Sequence, residues 1–273
     1  MGVRLCVVGG GRMGTALLAG LLGAKWATAG EIAVAERVDG ARDALRSRFP
    51  GLPVAAEPVA ADGVIIAVKP HDAEAVCRSL RGLGYRRALS IAAGVTTGSL
   101  VEWLGDGVAA IRAMPNTPAQ LGAGVSIVVG AGNAGEADLD WAEGVLSAVG
   151  TVVRLPEALV DAATAVSGCG PAYLFYVAES LVAAGVAAGL GAGVARELVD
   201  QTLLGAARML VETGRPAEVL RAEVASPGGS TEAAINVLEA RAVRTAFAGA
   251  VAAAKVRAGE LGAAPPKPRQ KSR

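Results

Sequence analysis

The first half of the chain alternates short apolar runs with longer stretches of mixed polarity. Several of the apolar runs contain no polar residue, as in residues 64–68 (Val-Ile-Ile-Ala-Val), which is typical of strands covered on both faces. We predict strands at Arg4–Val8, Glu31–Ala35, Gly63–Val68, Ala88–Ala92, Val108–Ala113, Val125–Val129 and Val152–Leu155. Strands that alternate with helices build a parallel sheet, so the pattern predicts an α/β fold with a doubly wound parallel sheet.

From about residue 156 onward the strand pattern stops, and polar residues return at helical intervals within Ala- and Leu-rich segments. We therefore predict a C-terminal domain that is all helical. Small and apolar residues recur at spacings of three and four from Ile235 to Ala253, which predicts one helix there. The last residues are rich in proline and charge, so we predict a disordered tail. The predicted domains are residues 1–155, residues 156–262 and the tail 263–273.

The charge balance argues against a nucleic-acid-binding protein. Lys and Arg together number 26 against 25 Asp and Glu, and no basic run occurs before the last few residues. A nucleic-acid-binding protein needs a basic patch that neutralises phosphates. We therefore expect a small-molecule substrate and no nucleic acid partner.

We predict a cytoplasmic protein without a membrane partner. The start of the chain runs directly into a strand and lacks the basic and apolar segments of a signal peptide. The uncharged runs 113–135 and 180–195 are interrupted by proline and polar residues, or are short and glycine-rich, unlike membrane spans. The 3 cysteines are scattered without the spacing of metal ligands, so we predict no metal site and a reducing compartment.

The strongest local signal is a glycine-rich turn directly after the first predicted strand. Gly9, Gly11 and Gly14 form a G-x-G-x-x-G pattern that includes Arg12 and Met13, and a helical pattern follows. The first glycine permits a tight turn, the second lets the backbone approach a pyrophosphate, and the third lets the helix touch the strand. The helix N-terminus then faces the phosphates. The turn predicts a Rossmann-like domain that binds a nicotinamide dinucleotide.

Further cofactor-binding residues are expected at the same edge of the sheet. Glu36 follows the second strand, where an acidic residue binds the adenosine ribose of NAD, but the adjacent Arg37 could pair with the 2′-phosphate of NADP. The sequence leaves the choice between NADP(H) and NAD(H) open. Lys69 and Pro70 follow another strand, from which Lys69 could reach a ribose or a phosphate. Asn116, in a stiff proline-containing loop, could line the nicotinamide pocket. Each could also be an ordinary surface or turn residue.

Two segments of the helical half carry more special residues than helix packing requires. Residues 165–173 (Ala-Val-Ser-Gly-Cys-Gly-Pro-Ala-Tyr) form a small-residue break before a helix. Residues 226–231 place Ser226, Gly229, Ser230 and Thr231 in a glycine turn at the start of another helix. Free N–H groups and hydroxyls there could bind a carboxylate, although a simple N-cap would need only one hydroxyl.

At these residues the sequence closely resembles the Δ1-pyrroline-5-carboxylate reductase family, and the resemblance runs over most of the chain. The first half shares G-x-G-x-M-G at 9–14, A-V-K-P at 67–70 and R-x-M-P-N-T-P-A at 112–119. The second half shares A-V-S-G-x-G-P-A-Y at 165–173, a Gln-Thr pair at 201–202 and S-P-G-G-x-T at 226–231. The motifs of the second half are specific, because general dinucleotide-binding dehydrogenases lack them.

The resemblance implies hydride transfer from NAD(P)H to the imine carbon of pyrroline-5-carboxylate, which gives L-proline. It implies that Ser226, Gly229, Ser230 and Thr231 hold the substrate carboxylate, and that Thr231 also hydrogen-bonds the ring nitrogen as the catalytic residue. It further implies a homodimer or a larger homo-oligomer through the helical domain, with part of the pocket expected from a partner chain.

Three departures from the family pattern leave the substrate open. Cys169 stands where serine is usual, and the run Ala240–Arg244 replaces a G-G-F-R type run. Glu232 stands where small or apolar residues are usual; it would repel a carboxylate if it faced inward and would favour the helix N-terminus if it faced outward. Two alternatives therefore stand beside the main prediction: a related reductase for another cyclic imino acid, and a non-catalytic NAD(P)H-binding regulator.

Overall fold

The computed structural model describes residues 2–263. The chain forms two compact units, one from Met1–Cys169 together with Ala254–Arg273, and one from Gly170–Ala253. The domain division predicted at residues 155 and 156 stays a prediction. The predicted tail lies outside the described residues from residue 264 onward.

An eight-stranded sheet organises the first unit, in the order β3-β2-β1-β4-β5-β6-β7-β8. The strands are β1 Leu5–Val8, β2 Ile32–Ala35, β3 Val54–Ala55, β4 Gly63–Ile66, β5 Arg87–Ser90, β6 Ala109–Pro115, β7 Gly124–Gly130 and β8 Gly150–Arg154. Every strand predicted from the sequence is present with shifted ends. The short β3 was missed, because two residues carry no periodic pattern.

The sheet is parallel except at one pair. The strands β6 and β7 run antiparallel, with Ala113 opposite Val128. Only residues 116–123 connect these strands, which is shorter than the crossover of a dozen or more residues that a parallel pair requires. The prediction of a doubly wound parallel sheet is therefore confirmed for the sheet as a whole and wrong for this pair.

Helices cover both faces of the sheet. They are α1 Arg12–Gly23, α2 Asp39–Arg48, α3 Pro70–Ser79, α4 Thr97–Leu104, α5 Glu136–Leu146 and α6 Val160–Ala163. One face of the sheet packs with Leu17, Leu21 and Leu146 from α1 and α5. The other packs with Cys77 of α3 and Leu100 of α4. The continuously apolar strands β1, β2 and β4 are fully buried between these layers, as their sequences predict.

The second unit is helical. Its elements are α7 Gly170–Ala187, α8 Ala192–Thr213, α9 Ala217–Val224, α10 Ser230–Ala240 and the first part of α11 Val243–Ala263. Among the described side chains of α7 to α10, only Ala195 is buried. Large apolar residues such as Phe175, Tyr176, Leu198 and Val211 are exposed. Within the described residues, these helices therefore present exposed apolar faces.

The prediction of a single helix from Ile235 to Ala253 is wrong. The helix α10 ends at Ala240 and α11 begins at Val243. Between them Ala242 has a φ of 53°, in the left-handed region. A right-handed helix cannot pass through that conformation, so the small-residue pattern is divided between two helices.

Candidate active site

A cleft of about 870 Å³ opens at the carboxyl ends of β1, β2, β4 and β5. The strand order reverses between β1 and β4, and ligands of open α/β sheets bind at such a reversal. Among the residues that line the cleft are Gly9, Gly11, Arg12, Met13, Glu36, Arg37, Lys69 and Pro70. The structure thus brings together most of the cofactor-binding residues predicted from the sequence.

The three glycines of the turn have different surroundings. Gly9 has a φ of 105°, and a Cβ there would lie 2.5 Å from the Ala67 carbonyl oxygen. A Cβ at Gly14 would lie 2.2 Å from the Gly9 carbonyl oxygen, because α1 packs directly on the turn. A Cβ at Gly11 would meet no atom within 4 Å. The fold therefore requires glycine at residues 9 and 14, whereas the space at Gly11 belongs to the cleft and fits a pyrophosphate.

The N-terminus of α1 offers hydrogen-bond donors to an anion. The helix begins at Arg12, and its N-cap residue Gly11 has no side chain that could occupy the first N–H groups. These N–H groups have no acceptor within the helix, and the helix dipole adds a partial positive charge there. Gly14 lies behind this surface, where it is buried. The cleft therefore fits the phosphates of a dinucleotide.

Glu36 and Arg37 occupy the end of the cleft next to β2, where they have different partners. The Glu36 carboxylate accepts hydrogen bonds from the backbone N–H groups of Gly10 at 2.9 Å and Val38 at 3.0 Å. The guanidinium of Arg37 lies 3.3 Å from the carboxylate of Asp72. Glu36 is therefore hydrogen-bonded to the glycine turn, whereas Arg37 forms an ion pair with a residue of α3.

A second helix N-terminus reaches the same cleft. Lys69 is the N-cap residue of α3, and Pro70 is its first helical residue. Proline suits this position because its fixed φ matches the helix and no N–H is lost from a hydrogen bond. Both residues line the cleft at the end of β4.

The turn at residues 226–231 lies in the second unit. The helix α10 begins at Ser230, and its N-cap residue is Gly229 with no side-chain cap. Gly228 has a φ of 72°, and its N–H donates to the Glu232 carboxylate at 2.8 Å. The hydroxyls of Ser230 and Thr231 lie in the first turn of α10, where backbone N–H groups lack acceptors within the helix. The turn therefore offers donors to an anion, and the Glu232 side chain already occupies one of them.

Comparison with known proteins identifies the family. The chain is 40% identical to a pyrroline-5-carboxylate reductase of Synechocystis over 96% of this chain and 99% of the relative. The chain belongs to the pyrroline-5-carboxylate reductase family. The solved reductase of Coxiella burnetii superposes with a TM-score of 0.90 at 36% identity, covering 95% of this chain and 98% of that one. The reductase of Plasmodium falciparum, solved with NADP bound, has a TM-score of 0.81 at 28% identity, covering 95% and 98%.

Two family models match separate parts of the chain. Residues 4–94 match a model described as NADP oxidoreductase, coenzyme F420-dependent. Residues 157–261 match the model for pyrroline-5-carboxylate reductase dimerisation. The stretch Glu157–Ala187 is long and apolar enough to cross a membrane, and none of its most apolar part is buried. That stretch lies within the dimerisation match, and a helical surface that pairs with a second copy needs the same exposed apolar residues.

Asn116 lies outside the lining of the cleft. Its side-chain N–H donates to the Ser167 carbonyl oxygen at 3.1 Å, and its side-chain oxygen accepts from the Val125 N–H at 2.9 Å. Its side chain thus ties the loop after β6 to β7 and to the π-helical turn Thr164–Gly168. The donor and acceptor that the sequence analysis assigned to a nicotinamide pocket both have protein partners.

Sequence reasoning missed an ion pair between the buried Arg112 and the half-buried Glu157. The guanidinium of Arg112 lies 3.1 Å from the Glu157 carboxylate, and 8% of its side chain is exposed. The Thr97 N–H donates to the same carboxylate at 2.8 Å, and the Thr97 hydroxyl donates to it as well. Burial alone would raise the pKa of Glu157, but the hydrogen bonds from Thr97 and Arg112 lower the pKa below its usual value. The only sequence signal was the Arg of the R-x-M-P-N-T-P-A motif.

Proposed function

We propose that this chain is an NAD(P)H-dependent pyrroline-5-carboxylate reductase, which reduces the C=N bond of Δ1-pyrroline-5-carboxylate to give L-proline in proline biosynthesis. The observation that carries the proposal is the 40% identity to a reductase of that name over 96% of the chain. The cleft with its glycine turn supports it independently, since it has the size and the donors that a dinucleotide needs.

The proposed cofactor site consists of the turn and the strand ends around it. Gly11, Arg12 and Met13 line the cleft at the start of α1, and their N–H groups are proposed to bind the pyrophosphate. Lys69 is expected to neutralise phosphate charge from the start of α3. When bound, the reduced nicotinamide supplies the hydride. Asn116 acts by positioning the loop after β6, through the hydrogen bonds at both ends of its amide.

The proposed substrate site is the turn from Ser226 to Thr231. The hydroxyls and free N–H groups at the start of α10 suit a carboxylate, because hydrogen bonds to a charged group are the strong ones. Thr231 is proposed to donate to or accept from the ring nitrogen of the substrate. A protonated imine is already electrophilic, so orientation of the two reactants is the main task of these residues.

We further propose a cytoplasmic homo-oligomer, a homodimer or larger, that pairs through the helical region. The support is the dimerisation match at residues 157–261 and the exposed apolar residues of α7 and α8. A surface of this kind is typical of an obligate interface. We propose no nucleic acid partner and no membrane partner. The nucleic acid part of this proposal is supported by the near balance of 26 basic and 25 acidic residues and by the lack of a basic run before the last few residues.

The test follows oxidation of NADH and of NADPH in parallel with Δ1-pyrroline-5-carboxylate. Turnover with either nucleotide, with L-proline as product, is expected. A folded protein that binds a nucleotide but turns over no imine would refute the reductase proposal and favour a regulator. A parallel reaction with a six-membered cyclic imino acid tests the second candidate function, a reductase for another cyclic imino acid. That candidate is motivated by Glu232, whose carboxylate lies at the turn of residues 226–231. Preference for the larger ring would assign the chain to that substrate.

A further inference from the structure

The residue after β2 decides which adenosine ribose fits in many dinucleotide-binding folds. An acidic side chain there accepts hydrogen bonds from the free 2′-hydroxyl of NAD, whereas an arginine nearby accommodates the 2′-phosphate of NADP. This chain has Glu36 and Arg37 in succession, and both line the cleft. The contacts of the two side chains indicate which of them is available to a ribose hydroxyl and which to a 2′-phosphate.

Glu36 is fixed in place from three sides. Each oxygen of its carboxylate accepts one backbone N–H, from Gly10 at 2.9 Å and from Val38 at 3.0 Å. Arg42 donates to the Glu36 carbonyl oxygen at 2.8 Å, which holds the backbone. An ionised carboxylate has about four acceptor sites, so about two remain for ribose hydroxyls. Because the contact with Gly10 holds the negative charge against the glycine turn, a 2′-phosphate at this end of the cleft would meet it directly.

Arg37 is engaged by another acidic residue. Its guanidinium lies 3.3 Å from the Asp72 carboxylate, which is 20% exposed and also lines the cleft. The His71 imidazole lies 3.6 Å from the same carboxylate. A 2′-phosphate that recruited Arg37 would compete with Asp72 for the guanidinium and would lie near two carboxylates. Like charges at close range disfavour binding.

We propose that Glu36 and Asp72 make this protein select NADH over NADPH, Glu36 by binding the ribose hydroxyls and repelling a 2′-phosphate, and Asp72 by occupying Arg37. The inference rests on the proposed function, because it concerns the nucleotide of that reaction. It assigns Asp72 a role in specificity that the sequence patterns did not indicate.

The experiment measures dissociation constants of NADH and NADPH by fluorescence titration of the full chain at physiological salt, without imino acid. The wild type is expected to bind NADH at least tenfold more tightly, roughly the effect of one hydrogen bond to a charged group. Glu36→Gln is expected to reduce this preference by roughly tenfold, and Asp72→Asn to reduce it by improving NADPH binding. Glu74→Gln is the matched control, because Glu74 lies on the same helix as Asp72, pairs with Arg78 and does not line the cleft.

Tighter binding of NADPH by the wild type, or an unchanged preference in both Glu36→Gln and Asp72→Asn, would overturn the inference. Thermal denaturation of each variant separates a folding defect from a binding effect, and titration with 2′,5′-ADP and 5′-ADP repeats the comparison without the nicotinamide. Because no imino acid is present, a chain that selects NADH but never reduces pyrroline-5-carboxylate would refute only the proposed function. Failure to bind either nucleotide would overturn both.

Discussion

Replacing two glycines of the same turn by alanine is expected to damage different properties, stability for Gly14 and nucleotide binding for Gly11. The Cβ of Gly14→Ala would lie 2.2 Å from the backbone carbonyl oxygen of Gly9. Non-bonded carbon and oxygen atoms need somewhat more than 3 Å, so α1 and the turn must separate by about 1 Å. The Cβ of Gly11→Ala would meet no protein atom within 4 Å. The first change therefore disturbs the fold, and the second disturbs only what binds in the cleft.

The sizes of the two effects follow from this geometry. Overpacking against backbone costs about 1–3 kcal/mol, and an unyielding carbonyl places Gly14→Ala near 3 kcal/mol. For a domain of this size that loss lowers the melting temperature by roughly 6–12 °C. Gly11 is an N-cap residue with extended backbone, where alanine costs at most about 1 kcal/mol. Its methyl group occupies the space of the pyrophosphate, and we expect at least roughly tenfold weaker nucleotide binding.

The assay pairs thermal and urea denaturation with fluorescence titration of NADH for both variants and the wild type. Gly11→Ala should melt close to the wild type and bind poorly. Gly14→Ala should melt well below it. Wild-type affinity in Gly11→Ala would refute the placement of the pyrophosphate, and wild-type stability in Gly14→Ala would refute the close packing of α1 on the turn.

Four further variants test other parts of the structure. Glu157→Gln should destabilise the fold by about 1–3 kcal/mol at neutral pH, because it removes the negative charge that pairs with the buried Arg112. Since folding lowers the pKa of Glu157, the carboxylate stabilises the fold above the ordinary glutamate pKa, and this stabilisation is lost as the pH falls through the folded-state pKa. Urea unfolding should therefore show the difference in unfolding free energy between wild type and variant becoming smaller in acid. Ala242→Gly and Lys25→Gly should each raise the unfolding free energy by about 1 kcal/mol, because both residues have positive φ, and unchanged melting curves would contradict the strain. Thr231→Val should lower kcat/KM for the imino acid roughly ten- to a hundredfold while leaving NADH affinity unchanged, and wild-type kinetics would remove the Thr231 hydroxyl from the site.

Much of the candidate site could be predicted because its signals are local. The glycine turn follows a strand and precedes a helix within residues 5–23, so backbone geometry alone gives Gly9, Gly11 and Gly14 their different roles. The turn at residues 226–231 could likewise be found from its glycines and hydroxyls at a helix start. The direction in which Glu232 faces could not be predicted, because a carboxylate at that position can point toward the turn or away from it. In the fold it accepts a hydrogen bond from the Gly228 N–H.

Side-chain partners that are distant in the sequence could not be predicted from local patterns. The contacts of Arg37 with Asp72 and of Arg112 with Glu157 join residues that become neighbours only when separate strands and helices assemble. Asn116 shows the same limit, since its amide was predicted to be available and the fold uses both ends of it.

The α/β order, the buried strands, the glycine turn and the helical second half could all be predicted from local patterns, because the periods of apolar residues and the steric freedom of glycine act over a few residues. The antiparallel pairing of β6 with β7, the break at Ala242, and the partners of Glu36 and Arg37 became visible only in the folded chain. These features depend on the path that the whole chain takes in the fold, which no short pattern of residues specifies.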